Sequence, residues 1–217
     1  MNTERRITGW AALVGGLLSL VMVGLYFVYS GPPPSSNVLS RNLITLATFT
    51  AFLVFAVGLG RLLREPNGDA GLAGDLAVTA LRTYVTITLV ATSLEVGTSL
   101  QYPDGHLDPT VDGPLAAGMV MLHGPIARVL VAVFLLALAV TPTARHYFSR
   151  RILRGSVVLA LVNLALVPSL FFGMDAADFY AANGWGAVAS IGAVNVIWFA
   201  ALGRSVLRTP KRSPALA

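Results

Sequence analysis

Cysteine is absent from this 217-residue chain. With it go disulfides, thiolate catalysis and cysteine-held zinc or iron–sulfur centres. Lysine occurs once, at Lys211 near the C-terminus, which leaves no lysine in the apolar runs to carry a Schiff base. Charge of either sign is scarce. Charged residues make up 12% of the chain, half the share of about 25% found in a soluble domain. Hydrophobic residues make up 55%, and the mean hydropathy is +0.73. A net charge of +5 and a pI near 10.1 suggest nucleic acid at first sight. The basic residues instead flank apolar runs and form no aromatic-interleaved patch, so the chain reads as a membrane protein and not a nucleic-acid binder.

Six apolar runs account for most of the sequence, at about 7–29, 39–63, 76–100, 114–140, 152–172 and 184–207. At about 1.5 Å per residue each can cross a hydrocarbon core of roughly 30 Å as a helix. None shows the alternation of a transmembrane strand. The first run follows Arg5 and Arg6, as a signal peptide would, but it is too long for an h-region and lacks a small-x-small cleavage site. Between the runs lie a proline- and serine-rich loop (30–38), a glycine-containing loop (65–74) with Asp75 as an N-cap, an acidic loop (101–113), an arginine-rich loop (141–151) and a loop bearing Asp175 and Asp178. The tail, 208–217, is basic, contains proline and is expected to be mobile.

The distribution of charge sets the orientation. The N-terminus, the second and fourth loops and the C-terminus hold about twelve of the 15 basic residues. The opposite set holds Arg41 and five aspartates: Asp104, Asp108, Asp112, Asp175 and Asp178. The expectation is an all-α bundle of six transmembrane helices, one domain, with both termini in the cytoplasm.

Apart from those at or near the ends of the apolar runs, the ionisable residues inside them are Arg82, Glu95, His123 and Arg128. Charge within a membrane is costly and marks function by default. The third run is rich in hydroxyls, and at about 100° per residue Thr88, Thr92, Glu95 and Ser99 share one face while Arg82, Thr86 and Ser93 share another. Glu95 lies about six residues from one end of its helix and His123 about nine from the same end of the next. That puts them within about 5 Å in depth and makes a Glu95–His123 proton relay the leading expectation. Pro125 leaves the carbonyl of Met121 without its helical donor, so a kink beside His123 is expected. Arg82 is close enough to its helix end to snorkel. Arg128 is too deep for that and needs a partner among carbonyls, Asn163, Asn195 or an anionic headgroup. Asn163 and Asn195 are expected to bridge helices.

Other chemistries find little support. Asp104-x-His106-x-Asp108 with Asp112 resembles a cation loop in composition, but its prolines and spacing fit a solvated turn, and no metal is expected. One intramembrane histidine argues against bis-histidine haem, and no other cofactor is implied. Nucleophile-elbow, zinc-protease and phosphate-loop motifs do not occur.

The start Arg5-Arg6-x-x-Gly9-Trp10, the length and the arginine-rich loops between six spans resemble small bacterial multi-pass membrane proteins of a domain-of-unknown-function family. The resemblance implies a bacterial cytoplasmic membrane and assigns no active-site residue. Three functions follow as expectations. The first is a small transporter or proton-linked membrane protein handling a small-molecule or lipophilic substrate, with Glu95, His123 and Arg128 at its site. The second is a membrane-embedded enzyme acting on a lipid or isoprenoid. The third is a structural or regulatory partner of another membrane protein, or of a second copy. Membrane lipids are partners in all three.

Overall fold

The computed structural model describes residues 3–29, 32–64, 70–102, 108–109 and 111–208. Six helices in it are long and apolar enough to cross a membrane: α1 (Thr3–Leu25), α2 (Ser35–Leu62), α3 (Gly71–Gln101), α4 (Gly113–Val140), α5 (Arg150–Phe171) and α6 (Gly186–Arg208). No strand occurs among the described residues. All but the first residue of the basic tail falls outside them.

Several boundaries differ from those the apolar runs suggest. Helix α1 begins and ends four residues earlier, and the carbonyl of Leu25 at its end accepts from Asn37 Nδ2 at 3.3 Å. Helix α2 begins at Ser35, four residues before its apolar run, which sets Arg41 six residues inside the helix rather than two. Helix α3 opens at Gly71, whose φ of +64° favours a residue without a side chain, so Asp75 lies inside the helix and is not its cap. Ser149 caps α5, its hydroxyl accepting from the amide of Ile152 at 3.3 Å.

The bundle has two distinct ends. At the terminal face, the start of α1 meets the end of α6 where Arg5 Nε donates to the carbonyl of Val206 at 2.6 Å. Arg61, at the end of α2, pairs there with Glu4 at 2.9 Å. Thr143 Oγ1 donates to the carbonyl of Leu63 at 2.7 Å, and Ser205 Oγ to that of Tyr147 at 3.0 Å. The opposite face holds the α1–α2, α3–α4 and α5–α6 connections. Regular helix dominates the terminal half, whereas breaks gather toward the other: a π-helical turn at Leu122–Ile126 in α4, a tight 3₁₀ turn at Val167–Phe171 in α5, and a π-helical turn at Gly186–Ser190 in α6.

Aromatic packing fills the middle. The Phe199 ring of α6 stacks between Tyr84 of α3 and Phe134 of α4, with centroids at 6.0 and 5.7 Å, and meets Phe52 of α2 at 4.7 Å. Four helices therefore share one cluster. Such contacts contribute about 0.5–1.5 kcal/mol per pair beyond area burial. Helix α1 is drawn in by small residues: a Cβ on Gly9 would meet Leu207, and one on Gly16 would meet Ala200 at 2.7 Å and the carbonyl of Val196 at 2.8 Å. The glycine spacing of α1 thus serves close packing within the chain.

Gly16→Leu should destabilise the protein by about 1–3 kcal/mol, the usual range for overpacking, because part of what it strikes is backbone. Gly24→Leu, with nothing within 4 Å of the added carbon, should be close to neutral. Thermal melts of both variants in detergent would check the contrast, and equal melting points would contradict the α1–α6 contact.

Candidate functional site

Glu95 of α3 is 2% exposed, and its partner is Arg41 of α2, itself 3% exposed. Arg41 Nη2 donates to Glu95 Oε1 at 2.7 Å. The sequence supplies this pairing through equal depth. Arg41 lies six residues after Ser35 at the start of α2, and Glu95 lies six before Gln101 at the end of α3. In antiparallel neighbours both side chains then sit about 9 Å below the same face. Two further groups complete the surroundings. The ring of Tyr26, just past the end of α1, covers the guanidinium, with Arg41 Cζ 3.9 Å from the ring centroid. Asn42, next to Arg41 in α2, donates its side-chain amide to the carbonyl of Val38 at 2.8 Å.

The expected Glu95–His123 pair does not form. Helix register explains why. Ala91 packs with Met119 and Val120, and Gly118 approaches Leu94, so α3 and α4 run past one another with Glu95 level with the region of Ala116. His123 lies two turns deeper, at the level of Thr88. Its Nδ1 lies 3.3 Å from the sulfur of Met119. The kink expected at Pro125 is present, with Gly124 at φ −90° and ψ −107° inside the π-helical turn.

Arg128 is 2% exposed and finds its partners at the broken ends of other helices. Its Nη1 donates to the carbonyl of Leu166 at 2.7 Å and to Ser169 Oγ at 2.9 Å, and its Nη2 to the carbonyl of Ala182 at 3.4 Å. Pro168 forces the tight turn that follows Ala165, and that turn exposes the Leu166 carbonyl to a cation at the negative end of the helix dipole. Gly124 provides the room: a Cβ there would sit 3.2 Å from Arg128 Nη2 and 3.3 Å from the Ala182 carbonyl. Main-chain carbonyls and a serine hydroxyl, and not a carboxylate, are therefore the partners of this deep charge.

The other candidates separate into ties and bystanders. Asn163 and Asn195 form a reciprocal amide pair between α5 and α6, at 2.9 and 3.0 Å. Thr88 and Thr92 are buried, and each hydroxyl donates to the carbonyl four residues back, at 2.9 and 2.8 Å. Arg82 is exposed on the same face as Thr86 and Ser93. In the acidic loop, the Asp108 amide donates to Asp112 Oδ2 at 2.7 Å, closing a turn. Asp104 and His106 lie outside the described residues. Among the described residues no group of three metal-ligating side chains converges.

No protein-family model, curated protein or solved structure matches the chain. The site therefore rests on its own chemistry. Arg41 is the residue that counting from the apolar run missed, because the run begins at Leu39 and a charge two positions later reads as a loop charge. The usable signal was its isolation: it is the single basic residue assigned to a set of loops otherwise populated by aspartates.

Removing one member of a buried pair strands the other and costs about 3–5 kcal/mol, whereas replacing both by apolar groups is often neutral. Arg41→Leu and Glu95→Leu should each lower the melting temperature sharply, and the Arg41→Leu/Glu95→Leu double variant should recover most of the loss. A double-mutant cycle on thermal unfolding measures this coupling. Simple additivity of the two losses would mean that the charges do not depend on each other.

Proposed function

We propose that the protein is a proton-linked membrane protein of the small-transporter class, with the buried Arg41–Glu95 pair as its working site. It would lie in the cytoplasmic membrane of a bacterium with both termini in the cytoplasm. The observation that carries this reading is a buried carboxylate–guanidinium pair that joins two helices below one face, covered by an aromatic ring. One proton suffices to change such a pair qualitatively. Protonated Glu95 no longer neutralises Arg41, and an unmatched buried cation favours any arrangement in which it reaches water. Proton binding is thereby tied to the spacing of α2 and α3 at that end. Arg128 and the Asn163–Asn195 pair tie α4, α5 and α6 to one another, each bonded within the protein.

Spin labels attached at Ser36→Cys and Leu100→Cys, at the matching ends of α2 and α3, report the separation directly. The absence of native cysteine makes the labelling specific. Between pH 8 and pH 5 the distance should widen by roughly 2–5 Å, the range of interhelical shifts and one-turn slips. In the Arg41→Gln/Glu95→Gln background it should stay constant. A pH-independent distance in the otherwise native chain would defeat the proposal.

Orientation has its own check. Cysteines placed singly at Ser36 and Ala177 should react with an impermeant reagent on intact cells, and one at Ser149 should not. The reverse pattern would place the ion pair near the cytoplasmic surface instead.

A further inference from the structure

A groove runs down the outward side of α1 beside α2 and encloses about 560 Å³. Ligand pockets typically measure about 300–1,000 Å³ and set a few polar groups in an apolar lining. Ala11 and Ala51 are half-buried and floor the groove, a single methyl on each facing helix leaving the crease unfilled. Ile7, Trp10, Val14 and Val54 are its exposed walls. Thr3 and Arg6 line its end at the terminal face. Thr3, Ile7, Trp10 and Val14 recur at helical spacing, so one stripe of α1 follows the groove along its length.

The polar and apolar parts of the groove divide where a membrane divides them. The apolar run of α1 starts at Ile7, directly after Arg6. From Ile7 to Val14 the helix rises about 10 Å, which stays inside one leaflet of a core roughly 30 Å thick. Across the interface Thr8 meets Gly58 and Gly15 meets Phe52, so Ala51 and Val54 line the deep end. Trp10 stands one turn below Arg6, the level at which indole rings gather beneath lipid headgroups. Neighbouring charges are already committed: Arg5 donates to the carbonyl of Val206, and Arg61 pairs with Glu4. Arg6 is exposed, and its guanidinium makes no hydrogen bond or ion pair with any described residue.

A free cation at the head of an apolar trough within one leaflet calls for an anion that carries hydrocarbon. A second copy does not supply it. Seated there about a two-fold axis, it brings another Arg6 to the same depth, cation against cation. An uncharged apolar molecule fills the trough and leaves Arg6 unmet. A zwitterionic phospholipid offers its phosphate with a cation of its own beside it, whereas an anionic one offers the phosphate alone. We propose that the α1–α2 groove holds one anionic phospholipid of the leaflet on the terminal side, with its phosphate at Arg6 and an acyl chain along Trp10, Val14, Ala51 and Val54. The site lies toward the end of the bundle opposite the Arg41–Glu95 pair and does not depend on it.

Trp10 reports the occupant, since brominated acyl chains quench an indole only at close contact. Subtracting the emission of Trp10→Phe separates it from Trp185 and Trp198. In phosphatidylcholine vesicles, brominated phosphatidylglycerol should quench Trp10 at about one-fifth the mole fraction that brominated phosphatidylcholine needs, the factor one arginine near the surface contributes. Arg6→Gln should bring the two lipids to the same mole fraction. Equal quenching by both in the native chain would overturn the site. Quenching by neither would overturn it as well, because protein, such as a second copy, would then cover the groove. The comparison of lipids is made within the native chain, so no folding defect can stand in for the result. Inorganic phosphate, added at constant ionic strength, should leave the quenching unchanged. Recovery of emission would reduce the site to one for a bare anion and refute the lipid.

Discussion

The contact between the Arg41 guanidinium and the Glu95 carboxylate fixes more of this structure than any other. Two charges taken out of water lose solvation worth several kcal/mol each and recover it only through good geometry. That demand sets the relative height of α2 and α3, because a slip of one turn would separate the charges by about 5 Å. It also holds the end of α1 in place, since Tyr26 leaves the helix to cover the guanidinium. The apolar contacts below it tolerate many relative heights; the ion pair tolerates one.

The remaining polar groups obey the same requirement in different ways. Arg128 uses main-chain oxygens freed by a helix break, Asn163 and Asn195 satisfy each other, and the threonines of α3 turn back on their own helix. These solutions differ in what they permit. An amide pair or a hydroxyl bonded to its own backbone is indifferent to pH. A carboxylate facing a guanidinium is not, and this separates the α2–α3 site from the ties elsewhere in the bundle.

Hydropathy alone revealed the number and approximate position of the helices, because about twenty consecutive apolar residues have few alternatives to a membrane helix. Faces were readable as well: Thr88, Thr92 and Glu95 are buried together and Arg82 is exposed, as the helical period requires. Register was not. The relative height of α3 and α4 depends on how far each helix continues past its apolar run and on how Ala91, Gly118 and Met119 fit, and sequence spacing carries neither. That is why sequence spacing pairs His123 with Glu95 although the two sit two turns apart. Arg41 escaped notice for a related reason. An apolar run marks where hydrophobicity begins, while a helix begins wherever its first amides are met, here four residues earlier at Ser35.

The uneven placement of helix breaks has a mechanical consequence. A regular α-helix resists bending because every turn is braced by the next, whereas a π-turn, a proline turn or a glycine outside helical geometry removes braces locally. In α4, α5 and α6 such weak points fall toward the same half of the bundle, and α1, α2 and α3 have none along their lengths. The molecule is therefore built as a stiff base with a compliant rim on one side. Lateral pressure or bilayer thickness acting on the chain would be absorbed mainly in that rim, so this protein would deform in one leaflet while its other half kept its shape.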